Sequence, residues 1–268
     1  MKQLKSLVRE LAKATVGLFI LTGLSLPSQA QEVAVWQFRH VKQSDMQEFI
    51  DRETKYWSKV AEAALEKGNL TFWGLFVKQG GFDLENSPNV IFVNTFKDID
   101  AVNMAETWNA SAVFPDVPMD KMETQSMSTT MHQIFVRPVG MVTKEGSIPD
   151  EHYNYIRFIF HNSSNPGQLI ALEQEHWQPF IKSAMEAGHT KQVAWGHSQI
   201  LAPSQPNMDA NTISYDVYPD MKSALTGGWA QDVEVEFPQE GLEKINDLEL
   251  TRRYNNIYRR IAVVNVTE

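Results

Sequence analysis

The segments ETKYWSKVAEAALEKG (53–68) and EQEHWQPFIKSAMEAG (173–188) follow one pattern: a Glu precedes a Trp by four residues, and a Gly follows that Trp by eleven. Reading outward, Phe72-Trp73-Gly74 meets Ala194-Trp195-Gly196 after a two-residue insertion, and an Asn, Asn89 or Asn211, lies sixteen residues past each of those tryptophans. NVIFVNTFKDID (89–100) then meets NTISYDVYPDMK (211–222), Trp108 falls near Trp229, and Phe114-Pro115 near Phe237-Pro238. Matches in one order at nearly equal spacing mark an internal duplication. Such a chain must build its fold from two like units.

Each unit reads the same way. Residues 33–41 alternate and are rich in β-branched and aromatic side chains, which predicts a strand. Asp45 with Glu48 has the spacing of a capping box, and Asn165 with Pro166 does the same work in the second unit. A helix follows, closed by Gly68 or Gly188. Two strands come next, with Gly/Pro/Asn-rich loops at 79–88 and 202–210. A shorter helix starts near Asp98 or Asp220, and a last strand lies near 133–139 or 258–264. The order β-α-β-β-α-β is the ferredoxin-like unit, and the class is α+β. The units span 31–141 and 153–268, joined by the polar stretch VTKEGSIPDEH (142–152), with Gly146 and Pro149 as breakers.

Residues 1–30 read as a secretory signal peptide. Lys2, Lys5, Arg9 and Lys13 precede an apolar run at 14–26, and Ser28 and Ala30 supply the small residues of a cleavage site. Export, to a periplasm or beyond, is the expectation. No later run approaches the roughly 20 apolar residues of a membrane span. Removing this segment takes away four basic residues and one acidic residue, so the net charge moves from −9 to −12. Such a surface repels phosphate backbones and disfavours nucleic acid as a partner. The chain has no cysteine, which excludes thiol nucleophiles, Cys-ligated zinc and iron–sulfur clusters.

The element order, the Glu-x-x-x-Trp helix and the Trp-Gly strand resemble the dimeric α+β barrel superfamily, which includes NIPSNAP-like and antibiotic-biosynthesis-monooxygenase-like proteins. The resemblance implies two sheets packed through their open faces into a barrel, here both from one chain. Its members include cofactor-independent oxygenases, isomerases, haem-handling enzymes and proteins of no known activity.

Glu53 and Glu173 each fall inside an apolar helical stripe that also carries Trp57 or Trp177. A carboxylate there must be paired, hydrogen-bonded or protonated. It can be structural, accepting from an indole or a backbone N–H. It can be a general base with a raised pKa, or it can reach water at the sheet rim.

On the first strands, Trp36, Phe38 and His40 match Ile156, Phe158 and Phe160, and this apolar set is expected to meet the helices. The other face carries Val35, Gln37, Arg39 and Val41, matched by Tyr155, Arg157, Ile159 and His161, and is expected to look into the barrel or into a cleft open to solvent. Arg157 and Asp216 are expected side by side, with Gln37 and Asn94 in their places in the first unit. Arg157, His161, Asp216, Tyr155 and Arg39 are thus the candidate ligand contacts. His161 and His197 are the candidate proton carriers, with Arg157 steadying an oxyanion. Since the second unit holds more titratable groups, the site is expected within 153–264.

There is no H-E-x-x-H, G-x-S-x-G, phosphate loop or dinucleotide fingerprint. Glu173 and His176 make a single Glu-x-x-His half-site. No metal and no cofactor are expected, with haem or a metal ion as the minor alternative. Three functions stand: a binder of a small apolar or aromatic molecule, a cofactor-independent oxygenase or isomerase with a His base, and a non-catalytic interaction protein. A homo-oligomer is compatible with each. If Glu173 is structural, Glu173→Gln should be mild and Glu173→Leu should cost about 1–3 kcal/mol in denaturant unfolding.

Overall fold

The computed structural model describes residues 32–80, 87–202, 210–251 and 253–265. The signal-peptide reading, the tips of the loops at 79–88 and 202–210, and the last three residues fall outside them. The eight strands are β1 (Val33–Val41), β2 (Phe72–Gln79), β3 (Val90–Phe96), β4 (Ser128–Thr143), β5 (Tyr155–His161), β6 (Ala194–Ala202), β7 (Thr212–Tyr218) and β8 (Tyr254–Asn265). They close into one antiparallel barrel in the order β1-β3-β2-β8-β5-β7-β6-β4. Within the ring, the first half runs β4-β1-β3-β2 and the second β8-β5-β7-β6. The seams are β2 with β8 and β4 with β6. The barrel is therefore completed within a single chain.

The two faces of the sheet are reversed from the expectation. Trp36 meets Phe158 at 4.8 Å between ring centroids, and Phe38 meets Phe160 at 6.4 Å. β1 and β5 lie on opposite sides of the ring, so these contacts cross the barrel interior. With Phe76, Ile91, Ile213 and Tyr258 they fill the barrel. The alternate residues of β1, Val35 and Val41, pack against Phe49 and Ala61 of the covering helix. The polar positions thus lie beneath the helices, outside the barrel. An eight-stranded barrel is just wide enough for side chains to fill it, and here rings do so, each contributing about 1.5–3 kcal/mol on burial. His40, expected with this set, lies one residue before the end of β1, with Nδ1 2.8 Å from the Ser87 carbonyl.

This arrangement explains the repeated Trp-Gly. Trp73 and Trp195 are buried on the helix side. Gly74 and Gly196 then point inward, where a Cβ would come within 2.7 Å of the Phe76 ring and 2.3 Å of the Tyr215 hydroxyl. The repeated Asn has a role too. Asn89 brackets the backbone of Val41 (2.9 and 2.8 Å), as Asn211 brackets that of Ser163 (3.1 and 2.7 Å). Gly68 and Gly188 close the helices with φ of 74° and 73°.

Other expectations need adjustment. Asn165 caps its helix through Gln168 N–H, but the Asp45 side chain caps nothing and accepts from Ser44 instead. No helix begins at Asp98. That segment turns, then forms three single-turn helices, Met104–Thr107, Ala110–Val113 and Met119–Met122, the first two capped by Asn103 and Asn109. Arg157 does pair with Asp216 across β5 and β7, but Gln37 faces Phe92, and Asn94 faces Val35. The strand register therefore sets Val35 in the place of Arg157, and Arg39 in the place of His161. The ungapped superposition of the first strands missed this by one pleat. Gly196→Ala should lower unfolding free energy by about 1–3 kcal/mol through overpacking against Tyr215, measured by urea denaturation.

Candidate functional site

In both halves the long helix contains a π-helical turn, Glu53–Trp57 and Glu173–Trp177. The Ser58 N–H bonds to the Glu53 carbonyl and the Gln178 N–H to the Glu173 carbonyl, five residues apart. The repeated Glu-x-x-x-Trp is thus the length of one π-turn. Such turns recur at functional sites because they insert a residue and re-aim a side chain. Here Glu53 and Glu173 are 4 % and 6 % exposed, held between helix and sheet. Neither accepts from an indole or a backbone N–H. Glu53 accepts from the Thr124 hydroxyl at 2.6 Å, and Glu173 lies 3.1 Å from His197 Nδ1.

Beside Glu53 lies a cavity of about 370 Å³. Trp57, Trp73, Trp108 and Phe92 supply flat apolar walls, and Gln37, Arg39, Asn94 and Thr124 the polar points. Burial pushes the Glu53 carboxyl up to about 7, with the Thr124 hydrogen bond and the Arg39 charge opposing only in part. Burial also lowers Arg39. Its Nε donates to Gln37 Oε1 (2.7 Å), Nη1 reaches Ser128 Oγ (3.4 Å), and the guanidinium lies 4.9 Å over Phe92. Asn94 donates to the Val35 carbonyl, while its own Oδ1 is buried without a partner. The wall that carries Thr124 is clamped to the same helix. Arg52 donates to the Asp120 and Glu123 carbonyls, and the Trp57 indole to the Met122 carbonyl.

The second half places its polar groups on each other. Arg157 Nε and Nη2 lie 2.9 and 2.5 Å from Asp216 Oδ2, and Arg157 also meets the Tyr218 hydroxyl. Gln192 donates to the other Asp216 oxygen at 3.0 Å. His161 is held between Glu249 (2.6 Å) and Ser214 (2.7 Å). Ser214, His161 and Glu249 have the bonding order of a hydrolytic relay, but Ser214 is 2 % exposed and out of a substrate's reach. His197 Nε2 is buried without a partner and faces Gly140, where a Cβ would come within 3.1 Å. Tyr155 packs beside Tyr218 and Ile257.

Of the residues singled out from sequence, Gln37, Arg39, Glu53, Trp57 and Asn94 line the cavity; Arg157, His161, His197, Asp216 and Tyr155 do not. Thr124 joins them. Thr124 sits in a polar segment without a motif, so no sequence signal marked it.

No family model matches the sequence, and no curated protein matches it. Solved structures do match. An anthrone oxidase-like protein aligns at 13% identity with a TM-score of 0.56, over 90% of this chain and 95% of that one. A protein described as a "putative monooxygenase" from Lactobacillus acidophilus aligns at 12% identity with a TM-score of 0.58, over 88% and 96%. A similarly described protein from Fusobacterium nucleatum aligns at 12% identity with a TM-score of 0.53, over 89% and 95%. The chain shares their ferredoxin-like α+β barrel fold.

The cavity lining has no His, Cys or Tyr, and Met104 is the one side chain in it of a type that serves as a haem axial donor. Among the described residues no group of three or more His, Cys, Asp or Glu is placed to hold a metal ion.

The raised Glu53 pKa has a consequence for stability. Below its ordinary value of 4.5 the carboxyl is protonated in both folded and unfolded chains. Between there and about 7 the folded chain binds more protons, so stability falls as pH rises. Relative to wild type, Glu53→Gln should gain stability with increasing pH, reaching on the order of 3 kcal/mol above about pH 8. Urea titrations of both proteins across this range check the slope and its sign.

Proposed function

We propose that this protein is an exported, small-molecule-binding α+β barrel made of two tandem ferredoxin-like units, with its ligand site in the first-half cavity. The observation that carries this reading is the buried Glu53 carboxyl, titrating near 7 in the wall of a cavity lined by indole rings. Three tryptophans and a phenylalanine suit a planar aromatic molecule. A carboxylate with that pKa is matched to general-base work near neutral pH.

A second reading, cofactor-independent oxidation, is supported by Glu53 and by the shared fold of an anthrone oxidase-like protein. Glu53, in place of the histidines, would take a proton from a carbon acid flanked by aromatic rings and a carbonyl. The electron pair passes to the carbonyl oxygen, giving an enolate whose charge Arg39 stabilises. Dioxygen adds at the carbon, forming a C–O bond, and protonation by Glu53 gives a hydroperoxide. Loss of the remaining C–H proton with cleavage of the O–O bond releases water and leaves a ketone. The sum is R2CH2 plus O2 giving R2CO plus H2O, with dioxygen as oxidant.

Anthrone is a suitable probe. Oxygen uptake and anthraquinone absorbance should rise with pH through about 7 and then level, as Glu53 becomes ionised. Glu53→Gln should lower the rate by about 100-fold or more. Arg39→Gln should lose more than Arg157→Gln, the reverse of the order expected if the site lay in 153–264. An unchanged rate in Glu53→Gln would remove the oxidation reading.

A further inference from the structure

We propose that the first-half cavity is built for a monoanion on an aromatic frame, a carboxylate or a phenolate, and that Glu53 is protonated in the occupied state. The inference rests on reading this cavity as a ligand site and goes beyond that reading by fixing the ligand's charge and its proton count.

The argument starts from Arg39. Arg39 and Glu53 are the two charged residues of the lining. The other groups facing Glu53 are neutral: Thr124 from the segment before β4, Asn94 from β3 and the tryptophan rings. Arg39 makes its hydrogen bonds to neutral oxygens, those of Gln37 and Ser128, and rests on the face of Phe92. Among the described residues no carboxylate forms an ion pair with it. The contrast is with Arg157, held by Asp216, and with Arg52, Arg253 and Arg260, each beside an acid. A half-buried guanidinium with no counter-charge in contact is costly unless something supplies one.

Glu53 does not supply it well. Its carboxyl is turned to Thr124 and burial raises it to about 7, so below that pH the cavity lining carries a net positive charge. A bound anion would neutralise Arg39 in a partly buried site, where the attraction is stronger than in bulk water. An ionised Glu53 would repel that anion and compete for the same cation. Binding an anion should therefore hold the proton on Glu53, and above about pH 7 it should draw one from solution. An aromatic weak acid that arrives neutral reaches the same state by passing its proton to Glu53.

The test uses 1-naphthoate, an anion across the range, and its neutral methyl ester, titrated into the full chain by calorimetry. At about pH 6 naphthoate should bind at least roughly tenfold more tightly than the ester. Its affinity should be level on the acid side and fall about tenfold per pH unit above about 7. In buffers of different ionisation enthalpy, binding at about pH 8 should take up close to one proton. In Glu53→Gln the pH dependence should vanish, and the affinity at high pH should rise to the wild-type value at low pH. Arg39→Met should erase the preference for the acid over the ester; should that variant not fold, the two probes on wild type decide the charge. Equal binding of ester and acid, or an unchanged pH slope in Glu53→Gln, overturns the anion assignment while the cavity reading survives. Binding of neither probe overturns the cavity reading and the inference with it.

Discussion

Each half of this structure buries a carboxyl group in the layer between its long helix and the sheet. The barrel interior is packed with rings, so the helices have only the outer sheet face to cover. Each long helix carries a π-turn there, and the turn delivers a Glu into the layer. Desolvating a carboxylate is expensive, and the group must find a hydrogen-bond donor, a counter-charge or a proton. The two halves answer differently, and that difference separates a closed cluster from an open cavity.

Strand register shows how. The place held by His161 in the second half is held by Arg39 in the first, that of Ser214 by Phe92, and that of His197 by Leu75. Arg157 stands where the first half has Val35, and Asp216 where it has Asn94. The second half sets its buried titratable groups against one another, Arg157 with Asp216, His161 with Glu249 and His197 with Glu173, although His197 Nε2 and one Glu249 oxygen stay without a partner. Pairs of this kind fill space and fix each other. Of the five places, the first half has apolar side chains at three, Val35, Leu75 and Phe92, an Asn with an orphaned oxygen at a fourth, and, among the described residues, no acid in an ion pair with Arg39 at the fifth. With fewer polar groups to satisfy one another, the layer stays open beside Glu53. Counting titratable residues pointed to the second half, where the structure sets those groups in contact with one another.

The parts of this that were legible in sequence are those fixed by local geometry. The Trp-Gly pair, the helix-closing glycines and the repeated Asn each have one steric or hydrogen-bonding job, and the duplicated spacing exposed them. Glu53 and Glu173 were visible as carboxylates on apolar stripes. The facing of the sheet was not legible, because alternation separates two sets without saying which looks inward. In an open sheet covered by helices the apolar set would face them. Closure into a barrel creates a second, fully dry face, and the rings of Trp36, Phe38, Phe158 and Phe160 go there. The register also lay out of reach, since a two-residue shift preserves alternation and leaves every side chain on its own face.

The same reasoning explains why Thr124 matters although nothing marked it. A buried carboxyl that titrates near neutrality is useful only if its orientation is fixed in both charge states. A hydroxyl meets that need, since it donates to the ionised group and can remain bonded to the neutral one. Thr124 occupies this position at 2.6 Å, on a segment anchored by Arg52 and Trp57. Those anchors flank Glu53 along one helical stretch, so the same helix holds both the carboxyl and the segment that bonds to it. The π-turn therefore does two things at once: it aims the acid into the cavity and fastens the segment that holds it there.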